Sequence, residues 1–122
     1  MTTAYLCVLF AGLMPYIFTG IAKSSKKGLD NRAPREFLAT LEGWGQRANW
    51  AQMNSFEAFP LFAAAVVIAQ LRGIDQSLLN NLAMGFIAAR TAYGAFYIFD
   101  KPSLRSLSWT AGIGCCVALF LV

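Results

Sequence analysis

Seven side chains in this sequence have the types and spacing to do chemistry together: Arg47, Asn54, Glu57, Arg90, Tyr93, Tyr97 and Arg105. The first three lie in RANWAQMNSFEAFPLF, which opens an apolar run of membrane-spanning length. At about 100° per residue, Arg47, Trp50, Asn54 and Glu57 share one helical face. Glu57 is about ten residues into that run, roughly 15 Å deep and near the middle of a bilayer. An ionisable group there is costly and marks, by default, a functional position facing the bundle interior. Arg90 lies about nine residues from the end of another apolar run, at a matching depth. The two are expected to pair, since each alone would be very costly. Tyr93 and Tyr97 continue the Arg90 face, and Arg105 opens the next run at the same end.

Positive charge and phenols converging above one carboxylate suit a small, water-soluble, multiply charged ligand. Arginine offers a bidentate fork for carboxylates, tyrosine a donor, and glutamate an acceptor for an ammonium. The adjoining bilayer suits a second, lipophilic substrate. Each group also has a plainer reading. Glu57 and Arg90 would serve as an interhelical lock, the tyrosines as interface-belt aromatics, and Arg105 as an ordinary inside-flanking charge. Trp50 reads as an interface anchor in preference to a ligand contact. The convergence at one end favours a site.

The elements that position these groups follow from composition. The chain has 122 residues, 57% hydrophobic and 13% charged, against about 25% charged in soluble domains. That makes it a single all-α integral membrane domain. Its net charge of +4 comes from basic residues gathered in one loop, so it points to membrane topology and not to nucleic acid. The absence of histidine excludes His-based metal sites and triads. Cys7, Cys115 and Cys116 lie in apolar segments without metal-ligand spacing and read as packing residues. No cleaved signal peptide is evident, because positive charge follows the first apolar run instead of preceding it.

Four spans are expected, at about 3–22, 47–72, 77–99 and 104–122. Pro15 is tolerable inside the first because neighbouring helices satisfy the freed carbonyl. Between the first two spans lies KSSKKGLDNRAPRE, the one clear loop, where Asp30 or Asn31 is expected to cap a helix starting near Pro34. That helix is expected to run on to Arg72, with Gly43 and Gly45 as its weak points and Pro60 as a bend beside the polar site. A tight turn is expected at Gly73. Small residues at four-residue spacing, among them Gly85 with Ala89 and Thr110 with Gly114, permit close helix contact. Five Lys/Arg in the first loop and Lys101 in the third, against Arg72 alone in the second, orient both loops toward the cytoplasm.

The pattern Asn54-x-x-Glu57-x-x-Pro60, followed by Arg90, Tyr93, Tyr97 and Arg105, resembles the MAPEG family, the membrane-associated proteins in eicosanoid and glutathione metabolism. The resemblance runs from the loop before the second helix to the start of the fourth, and is to a bacterial-type glutathione transferase. It implies a four-helix bundle protomer, a homotrimer, and glutathione bound between adjacent subunits in a bacterial inner membrane, the site toward the cytoplasm. Asn54, Glu57, Arg90, Tyr93 and Tyr97 match glutathione-contacting positions, and Arg105 the arginine that stabilises the thiolate. Trp50 stands where many members carry arginine, and Arg47, one turn earlier, is expected to substitute. Gln52 replaces a frequent histidine, and Ala58 replaces the aromatic of the leukotriene branch.

The implied activity is attack of the glutathione thiol on lipophilic electrophiles or reduction of lipid hydroperoxides. One alternative is a member that binds a thiol or another anion without catalysis. A small multidrug transporter has the same span count, but its membrane carboxylate would lie in the first helix, which is uncharged here.

Overall fold

The computed structural model describes residues 1–122 and contains five helices and no strand. α1 spans Thr3–Ser24, α2 Pro34–Ala39, α3 Gly43–Arg72, α4 Gln76–Ile98 and α5 Pro102–Leu121. α1, α3 and α5 are each long and apolar enough to cross a membrane. α4, at 23 residues, has the length but is less apolar, because it carries Asn80, Asn81 and Arg90.

Local chemistry sets most boundaries. The Thr2 hydroxyl caps α1 by accepting from Tyr5 N, and Pro15 stays inside the helix without ending it. A further first-turn amide, Ala4 N, donates across the bundle to Asn80 Oδ1 at 3.1 Å, which meets a need that every helix N-terminus has. Gly73 ends α3 in the left-handed region, with φ 71°, where only glycine is free of strain. Asp75 then caps α4 by accepting from Leu78 N. At its far end, Asp100 takes φ 59°, while Lys101 N donates to Phe96 O and Asp100 N to Tyr97 O. This Schellman closure leads directly into Pro102 at the start of α5.

Two expectations for the first loop are corrected. Asp30 does not cap α2: its Oδ1 accepts from Arg32 N two residues on, a local Asx turn, and the N-cap residue Ala33 has no side-chain bond. Nor does one helix run from Pro34 to Arg72. Thr40 turns its hydroxyl back onto Phe37 O, which competes with continuation of the helix. Gly43 then restarts it from φ 61°. Folding α2 back buries Phe37, Leu38 and Leu41 against Ala22 and Ala48, apolar area that a straight helix would leave exposed. Gly45 allows the close approach of Ser25 at this corner.

The main core lies where α1, α3, α4 and α5 meet. It contains Phe62, Val66, Leu79, Phe86, Cys116 and Leu119. Phe62 and Phe86 stack at 3.9 Å and 7°, joining α3 to α4 at mid-height. At the end opposite the basic loop, Arg72 donates to the carbonyls of Phe120 at 3.0 Å and Val122 at 2.6 Å. That bond ties α3 to the end of α5 and satisfies carbonyls left open by the helix terminus. The outer faces stay apolar and exposed, with Leu6, Leu9, Leu13 and Ile17 on α1 alone.

Candidate functional site

Helical spacing places Trp50, Met53, Asn54 and Glu57 on one strip of α3, and Tyr93 and Tyr97 on the facing strip of α4. Together they line a groove of about 350 Å³. Its floor is aromatic: the Tyr93 and Tyr97 rings meet edge to face at 5.6 Å, and Trp50 leans on Tyr97 at 6.2 Å. Two guanidinium groups flank the phenols. Arg105 Cζ, from the first turn of α5, stands 4.5 Å from the Tyr97 ring centre, and Arg90 Cζ stands 4.2 Å from that of Tyr93. Cations held over tyrosine faces are attracted by the ring quadrupole.

The two cations occupy different settings. Arg105 is half-buried and stands over Tyr97, next to the groove. Arg90 is only 3% exposed and lies behind Tyr93, its Nη2 donating to Ser55 Oγ at 3.4 Å. Ser55 in turn donates to Ala51 O. The expected Glu57–Arg90 pair does not form. Matching depth placed both residues at one level, but Arg90 turns into the bundle toward Ser55 while Glu57 faces outward on the exposed side of α3. Ring contact with Tyr93 takes the place of the carboxylate as the partner that makes burial of the charge tolerable.

Arg47 is also placed elsewhere. Its Nε donates to Ile98 O at 3.1 Å, one of the open carbonyls at the end of α4, and it lines a separate cavity. The groove therefore gathers Asn54, Glu57, Tyr93 and Tyr97, with Arg105 over Tyr97 and Arg90 over Tyr93 as backing, and leaves Arg47 out. Trp50, read from the sequence as an interface anchor, forms part of the groove wall. Its place on the Asn54–Glu57 face was the available signal. Ser55 was not anticipated, because its role depends on how Arg90 turns.

Asn54 adds a specific chemical demand. Its Oδ1 is buried and has no hydrogen-bond partner within the chain, although the residue lines the groove. A buried acceptor without a donor is destabilising by itself, so this oxygen is a cost that a donor reaching it through a small side-chain turn would remove. Exposed Glu57 supplies negative charge on the same side.

The sequence model of the MAPEG family matches residues 3–122. The chain belongs to the MAPEG family. Comparison with curated proteins and with solved structures gives no significant match. Membership agrees with three apolar helices of membrane-spanning length, and it attaches this MAPEG protein to glutathione-related membrane chemistry. Within that frame, the groove between α3 and α4 is where a guanidinium, two phenols, an unpaired amide oxygen and a carboxylate come together.

Proposed function

We propose that the protein binds glutathione in the α3–α4 groove and activates its thiol. The thiolate attacks lipophilic electrophiles or reduces lipid hydroperoxides. The observation that carries this reading is Arg105 standing over Tyr97 at the rim of a groove that also holds Asn54 and Glu57. Glutathione presents two carboxylates, an ammonium, two amides and a thiol. Glu57 accepts from the ammonium, Asn54 Oδ1 from an amide N–H, and the Tyr93 and Tyr97 hydroxyls donate to ligand oxygens. Arg105 lies beside the thiol and favours its anion, lowering a pKa that is ordinarily about 8.5. Arg90 acts from behind, through Tyr93.

The thiolate sulfur then bonds to the electrophilic carbon as the leaving group departs with its electron pair. With a hydroperoxide, two glutathiones become the disulfide, and the peroxide becomes an alcohol and water. The lipophilic partner arrives from the bilayer. Glu57 and Trp50 are open to the outside of the protomer, which supports a homotrimer in which a neighbouring subunit closes the groove. In this reading α4 is a fourth span, and the groove opens to the cytoplasm on the side of the basic first loop.

The test is to titrate purified protein with glutathione while following thiolate absorbance. A saturable thiolate signal near neutral pH is expected, and no signal with no binding would overturn the reading. Trp50, where a further guanidinium would strengthen anion capture, favours one second reading: binding without efficient turnover. That reading would show as glutathione-dependent thermal stabilisation with no conjugation across a panel of electrophiles.

A further inference from the structure

Arg47 faces away from the glutathione groove, and the cavity it faces has no part in the reaction proposed above. That cavity, about 750 Å³, lies between α1, the first turns of α3 and the last turns of α4. Nine of its eleven lining residues are hydrophobic. The other two are Thr91, whose hydroxyl is already bonded to Ile87 O in its own helix, and Arg47.

The cavity has a direction. Its α1 wall runs from Phe10 through Met14 and Ile17 to Ile21, about 16 Å along the helix axis, and ends where the basic first loop begins. Phe10 and Ile17 are 44% and 53% exposed, so the apolar length opens sideways, toward the space a bilayer occupies. Polarity is confined to the loop end, where Arg47 stands beside the half-exposed indole of Trp44. The bond from Arg47 Nε to Ile98 O holds the guanidinium in place, and its terminal amino groups have no hydrogen-bond partner in the protomer. An apolar wall with one anchored, unpaired cation at headgroup depth is the complement of an anionic amphiphile.

We infer that this groove holds an acyl chain of an anionic bilayer phospholipid, with the lipid phosphate on Arg47. Charge decides the occupant. A wholly apolar chain or helix would cover the wall but leave the guanidinium desolvated and unpaired, which is costly. A lipid phosphate presents oxygens that match the arginine fork at the level where Trp and Arg side chains meet headgroups. A headgroup of net negative charge keeps that attraction, whereas the ammonium of a zwitterionic one offsets it. The volume lies within the roughly 300–1,000 Å³ of ordinary small-molecule sites.

Trp44 provides the readout, independent of glutathione chemistry. In a Trp50→Phe, Trp109→Phe background it is the sole indole. The full chain is reconstituted in phosphatidylcholine vesicles, and its fluorescence is quenched with phosphatidylglycerol or phosphatidylcholine brominated on the upper acyl chain. The anionic lipid should quench at about one-fifth the mole fraction, the share expected of one basic residue at an anionic surface. Arg47→Gln should abolish that preference, and Arg47→Lys should retain most of it. Equal quenching by the two lipids overturns the inference. So does a preference unchanged in Arg47→Gln, quenching by brominated free fatty acid but not by the phospholipid, or protection of Trp44 from every lipid, which would mean that a second copy covers the groove. Should Arg47→Gln fail to fold, the comparison of the two lipids in the parent chain still decides.

Discussion

The guanidinium carbon of Arg90 stands 4.2 Å from the centre of the Tyr93 ring, so the buried charge of α4 supports a groove it does not enter. With one long hydrogen bond to Ser55 and 3% exposure, Arg90 is a costly residue for the fold. Arg90 has no carboxylate partner to strand, so replacing its charge by an apolar side chain of similar length removes a desolvation cost without leaving an opposite charge unpaired. Arg90→Met is therefore expected to leave Tm unchanged or raised, while glutathione affinity falls about two- to fivefold as Tyr93 loses its backing. Calorimetric Kd and thermal unfolding in detergent check both halves. A loss beyond about thirtyfold, the mark of a broken direct charge contact, would mean that the guanidinium reaches the ligand itself.

Arg105 should behave differently, because it stands at the rim, 4.5 Å from the Tyr97 ring. A cation beside a thiol stabilises the thiolate and lowers its pKa, typically by about 1–3 units. Removing that cation raises the pKa, so the thiolate fraction at neutral pH falls and the activity profile moves to higher pH. Arg105→Ala is expected to slow conjugation of a generic aryl halide at neutral pH at least ~tenfold, with glutathione still bound and part of the rate recovered at alkaline pH. The pH dependence of thiolate absorbance checks this, and an unchanged profile contradicts the assigned role.

Much of this organisation could be read from residue order alone, because apolar run length, Pro34, Gly73 and the DKPS corner act locally. What could not be read required azimuth as well as depth. Counting residues placed Glu57 and Arg90 at one level, but the turn of Arg90 toward Ser55 depends on which face of α4 meets α3. Arg47 shares a helical face with Asn54 and Glu57, yet a long side chain near a helix start can be captured by an open carbonyl of another element, here Ile98 O. The break before α3 showed in the sequence only as a weak point at Gly43, because part of its cause is tertiary. Phe37, Leu38 and Leu41 gain burial only after α2 has folded back onto Ala22 and Ala48.

The approach of α1 to α4 beside the groove depends on Gly94. A Cβ there would run into the ring of Phe18, which is itself buried with Met14 and Ala51. Gly94→Ala is expected to cost about 1–3 kcal/mol through overpacking and to disturb neighbouring Tyr93. Gly114, with nothing near its added Cβ, provides the control: Gly114→Ala should be neutral or slightly stabilising. Unfolding in mixed detergent micelles compares the two, and equal effects would show that contact with Phe18 does not constrain position 94.

Asn54 sets stability against binding most directly. Its Oδ1 is buried without a donor in the chain, so the free protein carries the desolvation cost of an unpaired acceptor, about 1–3 kcal/mol. Asn54→Ala removes that atom together with its cost and places a stronger helix former in the middle of α3. The variant should therefore unfold at the same temperature as the parent or higher. If the oxygen receives a ligand N–H, the same change removes a bond made only in the complex, and glutathione affinity should drop about tenfold, the usual worth of a hydrogen bond in which the free site is left unpaired. Thermal unfolding with and without glutathione separates the two effects: the parent should gain stability from the ligand, and Asn54→Ala should start higher and gain less. A variant that is less stable without ligand would mean that Asn54 Oδ1 already has a donor in the ligand-free protein.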